Sequence, residues 1–255
     1  MIKVIVCGAL GKMGRTVIEE IAGDKDLKLV GAIEAVGNAG LGSSLGGVTV
    51  TTDLPKALAS CDVVVDFTNP KAALEHIQQS AAAGKAAIVG TTGFSPEELA
   101  LAKKAGDKIP LIISPNMSAG VNLMFKIAED VARALPDFDA EIVEIHHNKK
   151  KDSPSGTAAR LAEAIGRVRP SPLLVHGRSG LVGARKANEI GMHSLRGGDV
   201  VGEHTVIFAG EGERFELTHR AHSRRTFARG TIKAIHFIYG KKPGLYTMAD
   251  VLGLL

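Results

Sequence analysis

The sequence predicts an α/β chain: a doubly wound parallel sheet built from its two ends, with an α+β unit inserted between them. Three observations predict this. Met1-Ile-Lys-Val-Ile-Val-Cys7 is an almost unbroken apolar run that passes straight into a glycine turn and a helical pattern, as expected of a strand covered on both faces. Short β-rich runs then alternate with helical patterns as far as residue 117, the signature of βαβ units. Beyond that point long period-2 runs separated by glycines take over, and helical spacing returns only at Thr226–Tyr239, where Phe227, Ile232, Ile235 and Ile238 share one side.

Taken in order, the first strand ends at Cys7, and Gly8, Gly11 and Gly14 space the turn into a helix over Lys12–Ala22. Gly8 and Gly11 permit a tight turn with backbone N–H groups close to a phosphate, Gly14 lets the helix lie on the strand, and the helix N-terminus adds donors and dipole. Ala9 stands where the commoner fingerprint has a glycine, so the glycines alone are weak. The next strand, Leu27-Lys-Leu-Val-Gly-Ala-Ile-Glu34, strengthens them. Its closing carboxylate stands twenty positions after Gly14, the spacing at which an acid reaches the ribose hydroxyls of a dinucleotide. The first unit is therefore expected to be a Rossmann-type domain.

A Gly-rich connection, Val36–Gly47, leads to a run Val48–Thr51, a short helix Leu54–Ser60 and a strand Asp62–Phe67. Asn69-Pro70 opens a helix that runs to Ala83 and stops at Gly84. Ala86–Val89, a helix capped by Ser95-Pro-Glu-Glu98, and Ile109–Ile113 complete the sheet. Ligands of open α/β sheets bind at the carboxyl ends of the strands. The turns Asp66-Phe-Thr68, Gly90-Thr-Thr-Gly93 and Ser114-Pro-Asn-Met117 thus join the glycine turn at one edge, where they are expected to hold the nicotinamide riboside and carboxamide.

The inserted unit reads as a helix Val121–Leu135, a long strand Asp139–His147 and a helix Ser153–Val168. Three runs follow, Lys186–Ser194, Glu203–Ala209 and Glu213–His222, which alternate as antiparallel strands do, one face for helices and one for another subunit. The expected division is 1–117 with 225–255 for the dinucleotide and 118–224 for substrate and assembly.

Composition narrows the function. At 255 residues and 45% hydrophobic content the chain can bury a sizeable core, and 31 basic against 27 acidic residues leave +4, too mild to suggest nucleic acid. The absence of Trp, with only two Tyr, argues against a base-stacking platform. Cys7 and Cys61 are too few for a disulfide framework, no apolar run approaches the roughly 20 residues of a membrane span, and no leader is recognisable, so a reducing cytoplasmic setting is expected.

The densest chemistry lies in Glu144-Ile-His-His-Asn-Lys-Lys-Lys-Asp-Ser-Pro-Ser-Gly-Thr157, which leaves a strand and enters a helix. With Ser153 as N-cap and Pro154 in the first turn, the N–H groups of Ser155, Gly156 and Thr157 point at an anion. Lys149, Lys150 and Lys151 add positive charge, and His146 or His147 can exchange protons near neutral pH, one of the pair facing the site because strand side chains alternate. A run of three lysines by itself is a solvated loop; the helix start and the histidines make it a candidate carboxylate or phosphate site. No metal is expected, since the histidines, among them His176 and His193, show neither i,i+4 helical spacing nor Cys partners.

Over essentially its whole length the chain resembles the bacterial 4-hydroxy-tetrahydrodipicolinate (dihydrodipicolinate) reductases of lysine and diaminopimelate biosynthesis. The resemblance rests on Val6-Cys-Gly-Ala-Leu-Gly-Lys-Met-Gly-Arg15, Val65-Asp-Phe-Thr68, Val89-Gly-Thr-Thr-Gly-Phe94, Asn116-Met-Ser-Ala-Gly-Val-Asn122, Gly202-Glu-His-Thr205 and above all Glu144–Thr157. It implies His146 as proton donor and Lys150 as essential cation, with His147, Lys150, Ser155, Gly156 and Thr157 holding the two substrate carboxylates. It implies cofactor contacts from Gly8, Ala9, Leu10, Gly11, Lys12 and Met13, from Glu34, from Gly90, Thr91 and Thr92, and from Ser114, Pro115, Asn116 and Met117. It further implies NADH or NADPH as cofactor, a homotetramer built through the inserted sheet, and domain closure over substrate.

Two positions depart from the family pattern. Some relatives carry an arginine after the acid, able to pair with a 2′-phosphate; Ala35 stands there instead, so Glu34 favours NADH, while Lys12 leaves NADPH open. Lys149 stands where some relatives have histidine. The rival readings are another two-domain amino-acid-pathway dehydrogenase, which has no need of Lys-Asp-Ser-Pro-Ser-Gly-Thr before a helix, and a non-catalytic dinucleotide sensor or basic-loop nucleic-acid binder.

Overall fold

A computed structural model describes residues 1–254, which form two compact units, 1–119 with 224 onward and 120–223. The chain begins β1 (Ile2–Cys7), α1 (Lys12–Ala22), β2 (Leu27–Ile33), β3 (Ser44–Leu45), β4 (Val48–Thr51), α2 (Leu54–Leu58), β5 (Val63–Asp66) and α3 (Pro70–Ala82). It continues with β6 (Ala86–Val89), α4 (Pro96–Lys103), β7 (Pro110–Ile113), α5 (Ala119–Ala134), β8 (Asp139–His146), α6 (Gly156–Gly166), β9 (Leu173–His176) and β10 (Glu189–Arg196). It closes with β11 (Gly202–Gly210), β12 (Glu213–Ala221), α7 (Arg225–Ile238), β13 (Gly244–Tyr246) and α8 (Met248–Leu252). Among the described residues no helix is long and apolar enough to cross a membrane.

In the first unit the strands lie in the order β13-β7-β6-β5-β1-β2-β4-β3, every pairing parallel except β3 with β4. β5 and β6 are buried along their whole length, which is why they read as unbroken Val, Ile and Ala. The chain moves from β1 to β2 on one side and returns to β5 on the other, so strand order reverses beside β1 and opens a crevice at the carboxyl ends of β1 and β5. Val17, Ile18 and Ile21 of α1 and Ala234, Ile235 and Ile238 of α7 cover one face, each large aliphatic side chain contributing roughly 1.5–3 kcal/mol by leaving water. α3 starts where Asn69-Pro70 says it should, Asn69 accepting the Ala72 N–H.

The second unit is a five-stranded sheet, β12-β11-β8-β10-β9, backed by α5 and α6. Burial alternates strictly along β8, so Ala140, Ile142, Glu144 and His146 share the buried face, as do Gly202, His204, Val206 and Phe208 of β11. Phe208, Ile142, Leu161 and Ile165 form the centre of its core.

The expectation of antiparallel strands is corrected in part. β11 pairs antiparallel with β8 and β12, but β10 runs parallel to both β8 and β9. The cause is α6, which crosses over between β8 and the β9–β10 pair and returns the chain to the same end of the sheet. β3, β9, β13 and α8 have no counterpart in the sequence reading; at two to five residues each they are too short for a periodic signal.

Candidate active site

In the first unit the glycine turn meets its neighbour at van der Waals range. Gly8 has φ +74°, and a Cβ there would lie 2.4 Å from the Phe67 carbonyl oxygen; a Cβ on Gly14 would lie 2.1 Å from the Gly8 carbonyl oxygen. Only glycine lets the turns after β1 and β5 and the start of α1 come this close. Gly11 caps α1 without a side-chain partner, and the first turn holds no acid, so its N–H groups are left for an external anion.

Around this turn lies a cavity of about 540 Å³. Its walls are Gly8, Leu10 and Gly11, the segment Glu34–Val36 with Asn38, the start of α2, the turn Phe67–Asn69, and Ala72, Glu75, His76 and Gln79 on α3. Glu34 is fixed at its rim, each carboxylate oxygen accepting one backbone N–H, from Leu10 and from Ala35, at 3.0 Å. Among the described residues no Lys or Arg lines it; Lys12 is exposed outside. A diol donates to such a carboxylate, whereas a phosphate is repelled by it.

Asp66, 1% exposed, ties the edge together. It accepts from the Thr68 N–H and hydroxyl at 3.1 and 2.7 Å, from the Thr91 hydroxyl at 2.7 Å, and pairs with His76 Nδ1 at 2.6 Å. Cys7, Asp66 and His76 place potential ligand atoms within 4.8 Å of one another. Hydrogen bonds already engage Asp66, and burial, reinforced by the charge of Asp66, raises the Cys7 thiol well above its ordinary pKa, so it stays protonated. Ser114 Oγ turns inward to the Asn116 carbonyl, and Met117 is 2% exposed in the core, leaving only its backbone for a ligand; Ala9 is likewise buried, while Thr92 and Pro115 are exposed.

In the second unit Glu144 is the centre. It is 1% exposed and accepts a bidentate pair from Arg196 at 2.8 and 2.9 Å, His146 Nδ1 at 2.5 Å and the Ser155 N–H at 3.2 Å. Burial alone raises a carboxyl; the donors from Arg196 and His146 outweigh it and hold Glu144 down at about 2. His146 moves below its ordinary value because burial disfavours the charged ring, with Glu144 opposing and Lys150 and Arg196 adding to the shift. The anionic Glu144 accepts the Nδ1–H hydrogen bond, so the neutral ring presents its lone pair at Nε2. Beside that nitrogen is Gly202, whose Cβ would lie 3.0 Å from it.

The helix start differs from the sequence expectation. The cap of α6 is Ser155, whose Oγ accepts the Ala158 N–H at 3.2 Å, and not Ser153 with Pro154 in the first turn. The Ser155 N–H is therefore spent on Glu144, and the anion-facing backbone begins at Gly156, an exposed residue with open space where a Cβ would stand. Lys150 is held in the loop before it, its N–H on the His147 carbonyl and its ammonium 2.9 Å from Asp152. His147 donates its N–H to the Val200 carbonyl, and its Nδ1 is buried without a partner among the described residues. Lys149 and Lys151 are exposed.

The structure thus gathers His146, His147, Lys150, Ser155, Gly156 and Thr157 onto neighbouring elements of one unit. Arg196 was not among the sequence candidates. It meets Glu144 because Arg196 lies in register with His146 across the parallel β8–β10 pair, a juxtaposition without local sequence signal.

Comparison with known proteins identifies the family. The family model "Dihydrodipicolinate reductase, N-terminus" matches residues 2–117, and "Dihydrodipicolinate reductase, C-terminus" matches residues 120–252. The chain is 51% identical to a 4-hydroxy-tetrahydrodipicolinate reductase of Aquifex aeolicus, over 99% of each chain, and 50% identical to one of Anaeromyxobacter dehalogenans, over 100% of this chain and 98% of the relative. A solved dipicolinate-bound dihydrodipicolinate reductase from Paenisporosarcina sp. superposes with a TM-score of 0.81 at 29% identity, covering 98% of both chains. The two family models together span both units, and the chain belongs to the dihydrodipicolinate reductase family.

Proposed function

We infer that the chain performs the reaction its relatives are named for, the NAD(P)H-dependent reduction of 4-hydroxy-tetrahydrodipicolinate to tetrahydrodipicolinate in lysine and diaminopimelate biosynthesis. The observation that carries this reading is the His146–Glu144–Arg196 cluster beside Lys150 and the first turn of α6, a proton-exchanging group next to a cation and backbone donors. The substrate is a cyclic dianion. Lys150 and the N–H groups at Gly156 and Thr157 hold its carboxylates, with His147 and the Ser155 hydroxyl as further polar contacts. After loss of the ring hydroxyl as water, reduction of the carbon–carbon double bond needs a hydride on one carbon and a proton on its neighbour. Bound NAD(P)H supplies the hydride from C4 of its nicotinamide. His146 supplies the proton from Nε2, its Nδ1–H remaining on Glu144, and the dianion beside it raises its affinity for that proton.

For the cofactor, the fit rests on the glycine cradle and on Glu34. The turns at Gly90–Thr92 and Ser114–Met117 hold the nicotinamide half. With a fixed carboxylate and no cation in the cavity wall, NADH is preferred. In a coupled assay with synthase-generated substrate, kcat/KM for NADH is expected to exceed that for NADPH by about tenfold, and Glu34→Ala to narrow the ratio. No oxidation of either cofactor would refute the activity; an NADPH preference would refute the role of Glu34 alone.

The same reading includes a homotetramer assembled through the inserted unit. β12 is the edge strand of its sheet, exposed along most of its length and carrying Phe215 at 44% exposure, an edge open to another copy. Light scattering should give four times 26.7 kDa, and a monomeric mass would contradict it. The two buried, unpaired cysteines fit a reducing cytoplasm.

A further inference from the structure

His204 is 3% exposed and stands directly opposite Glu144 across the antiparallel β8–β11 pair. Its ring meets that of His146 edge to face at 5.2 Å, yet no step above uses it. His204 Nε2 lies 3.2 Å from Ser155 Oγ, and Nδ1 is buried without a hydrogen-bond partner among the described residues. The same Ser155 oxygen already accepts the Ala158 N–H as the cap of α6.

These contacts select a tautomer. With the proton on Nδ1, the ring buries an N–H with nothing to bond, and the Ser155 hydroxyl must spend its own proton on Nε2. With the proton on Nε2, the ring donates to Ser155 Oγ and only a lone pair on Nδ1 goes unmet. Orphaned buried N–H groups are the rarer defect, so the second form prevails. The doubly protonated ring is excluded by burial, which, with the charge of His146 acting in the same sense, brings His204 down to about 3.

The consequence falls on Ser155. Its oxygen has two acceptor positions, taken by the Ala158 N–H and the His204 Nε2–H, and its one proton has no acceptor among the described residues. We propose that His204 is a positioning residue that commits the Ser155 hydroxyl to donating a hydrogen bond to a substrate carboxylate oxygen. The inference rests on the reading that the start of α6 holds a carboxylate, and it makes that corner donor-only: the hydroxyl, the Gly156 N–H and the Lys150 ammonium all seek lone pairs. A carboxylate satisfies them; a carboxamide, which turns an NH₂ toward one of them, does not.

The test is a double-variant cycle with dipicolinate as probe, titrated calorimetrically into protein saturated with NADH, each variant checked by thermal melting. Ser155→Ala and His204→Leu are each expected to weaken dipicolinate about tenfold, the loss of one charge-assisted hydrogen bond. Combined, they are expected to weaken it about tenfold again and not a hundredfold, because both remove the same bond. His204→Gln, whose amide N–H stands near the place of Nε2–H, is expected to stay within about threefold of wild type. Wild-type affinity in His204→Leu, or losses that multiply in the double variant, would overturn the inference while leaving the carboxylate site in place. Wild-type protein that binds NADH but not dipicolinate would overturn both. Should His204→Leu fail to fold, a His204→Gln protein with full tenfold loss would count against the proposal.

Discussion

Lys150→Ala is expected to lower kcat/KM for the dicarboxylate by roughly a hundredfold or more while the Kd for NADH holds at its wild-type value, and His146→Ala to lower kcat by a similar factor. The two losses differ in kind. In the proposed mechanism Lys150 meets the ground-state dianion and holds the transition state more tightly still, so its removal raises KM and lowers kcat together. In the same mechanism His146 acts on a proton that moves only during the reaction, so its removal is expected to fall on kcat with KM little changed. The loop geometry is built for the first role: the Lys150 N–H is anchored on His147, and its ammonium rests against the exposed Asp152, a partner that an incoming carboxylate displaces at little cost. The pH profile separates the second. A donor works while protonated, so wild-type kcat is expected to fall as pH rises through the pKa of His146 in the complex, and His146→Ala to lose that alkaline limb. Steady-state kinetics across pH 5 to 9 with fluorescence titration of NADH decide it; wild-type rates in either variant would remove that residue from the mechanism.

Much of the dinucleotide unit was legible because its determinants are local. The β1 run, the glycines and Glu34 lie within one βαβ stretch; the contact that requires glycine at position 14 falls inside that stretch, whereas that at position 8 is with Phe67, after the strand β5 that lies beside β1. The inserted unit was legible in its chemistry and less so in its geometry. Ser153-Pro154 carries the familiar look of a helix start, yet Ser155 wins because its oxygen sits at the right spacing from Ala158 and its N–H has a buried carboxylate to satisfy. That carboxylate is eleven residues back, on a different element. Arg196 and His204 were hidden for the same reason: each meets Glu144 or its neighbours only through sheet register, parallel for one and antiparallel for the other, and period-2 patterning does not state direction.

Glu144 joins stability to catalysis, so Glu144→Gln should change both with opposite dependence on pH. The carboxylate collects four donors from Arg196, His146 and Ser155 in a buried site, and breaking such an arrangement from one side typically costs about 3–5 kcal/mol, since the partners remain buried and lose their acceptor. Its folded pKa, about 2 against an ordinary 4.5, is depressed, so its contribution is fully present above pH 4.5 and is lost as pH falls through about 2. The part of the difference in unfolding free energy between wild type and Glu144→Gln that comes from Glu144 itself is therefore expected to be constant above pH 4.5 and to shrink below it, while the lower His146 pKa of the variant enlarges the difference as pH falls through the histidine range. Glu141 is depressed over the same window by Arg178, His193 and Arg185, but it is present in both proteins and cancels in the difference. In catalysis the sign reverses. Glu144 is the group that favours protonated His146 against burial, Lys150 and Arg196, so its neutralisation lowers the His146 pKa further and moves the alkaline limb of kcat to lower pH. Denaturant melts from pH 3 to 7 and a kcat profile on the same variant read the two effects separately. A stability difference that ignores pH, or an alkaline limb that does not move, would show that Glu144 is not the charged partner of His146.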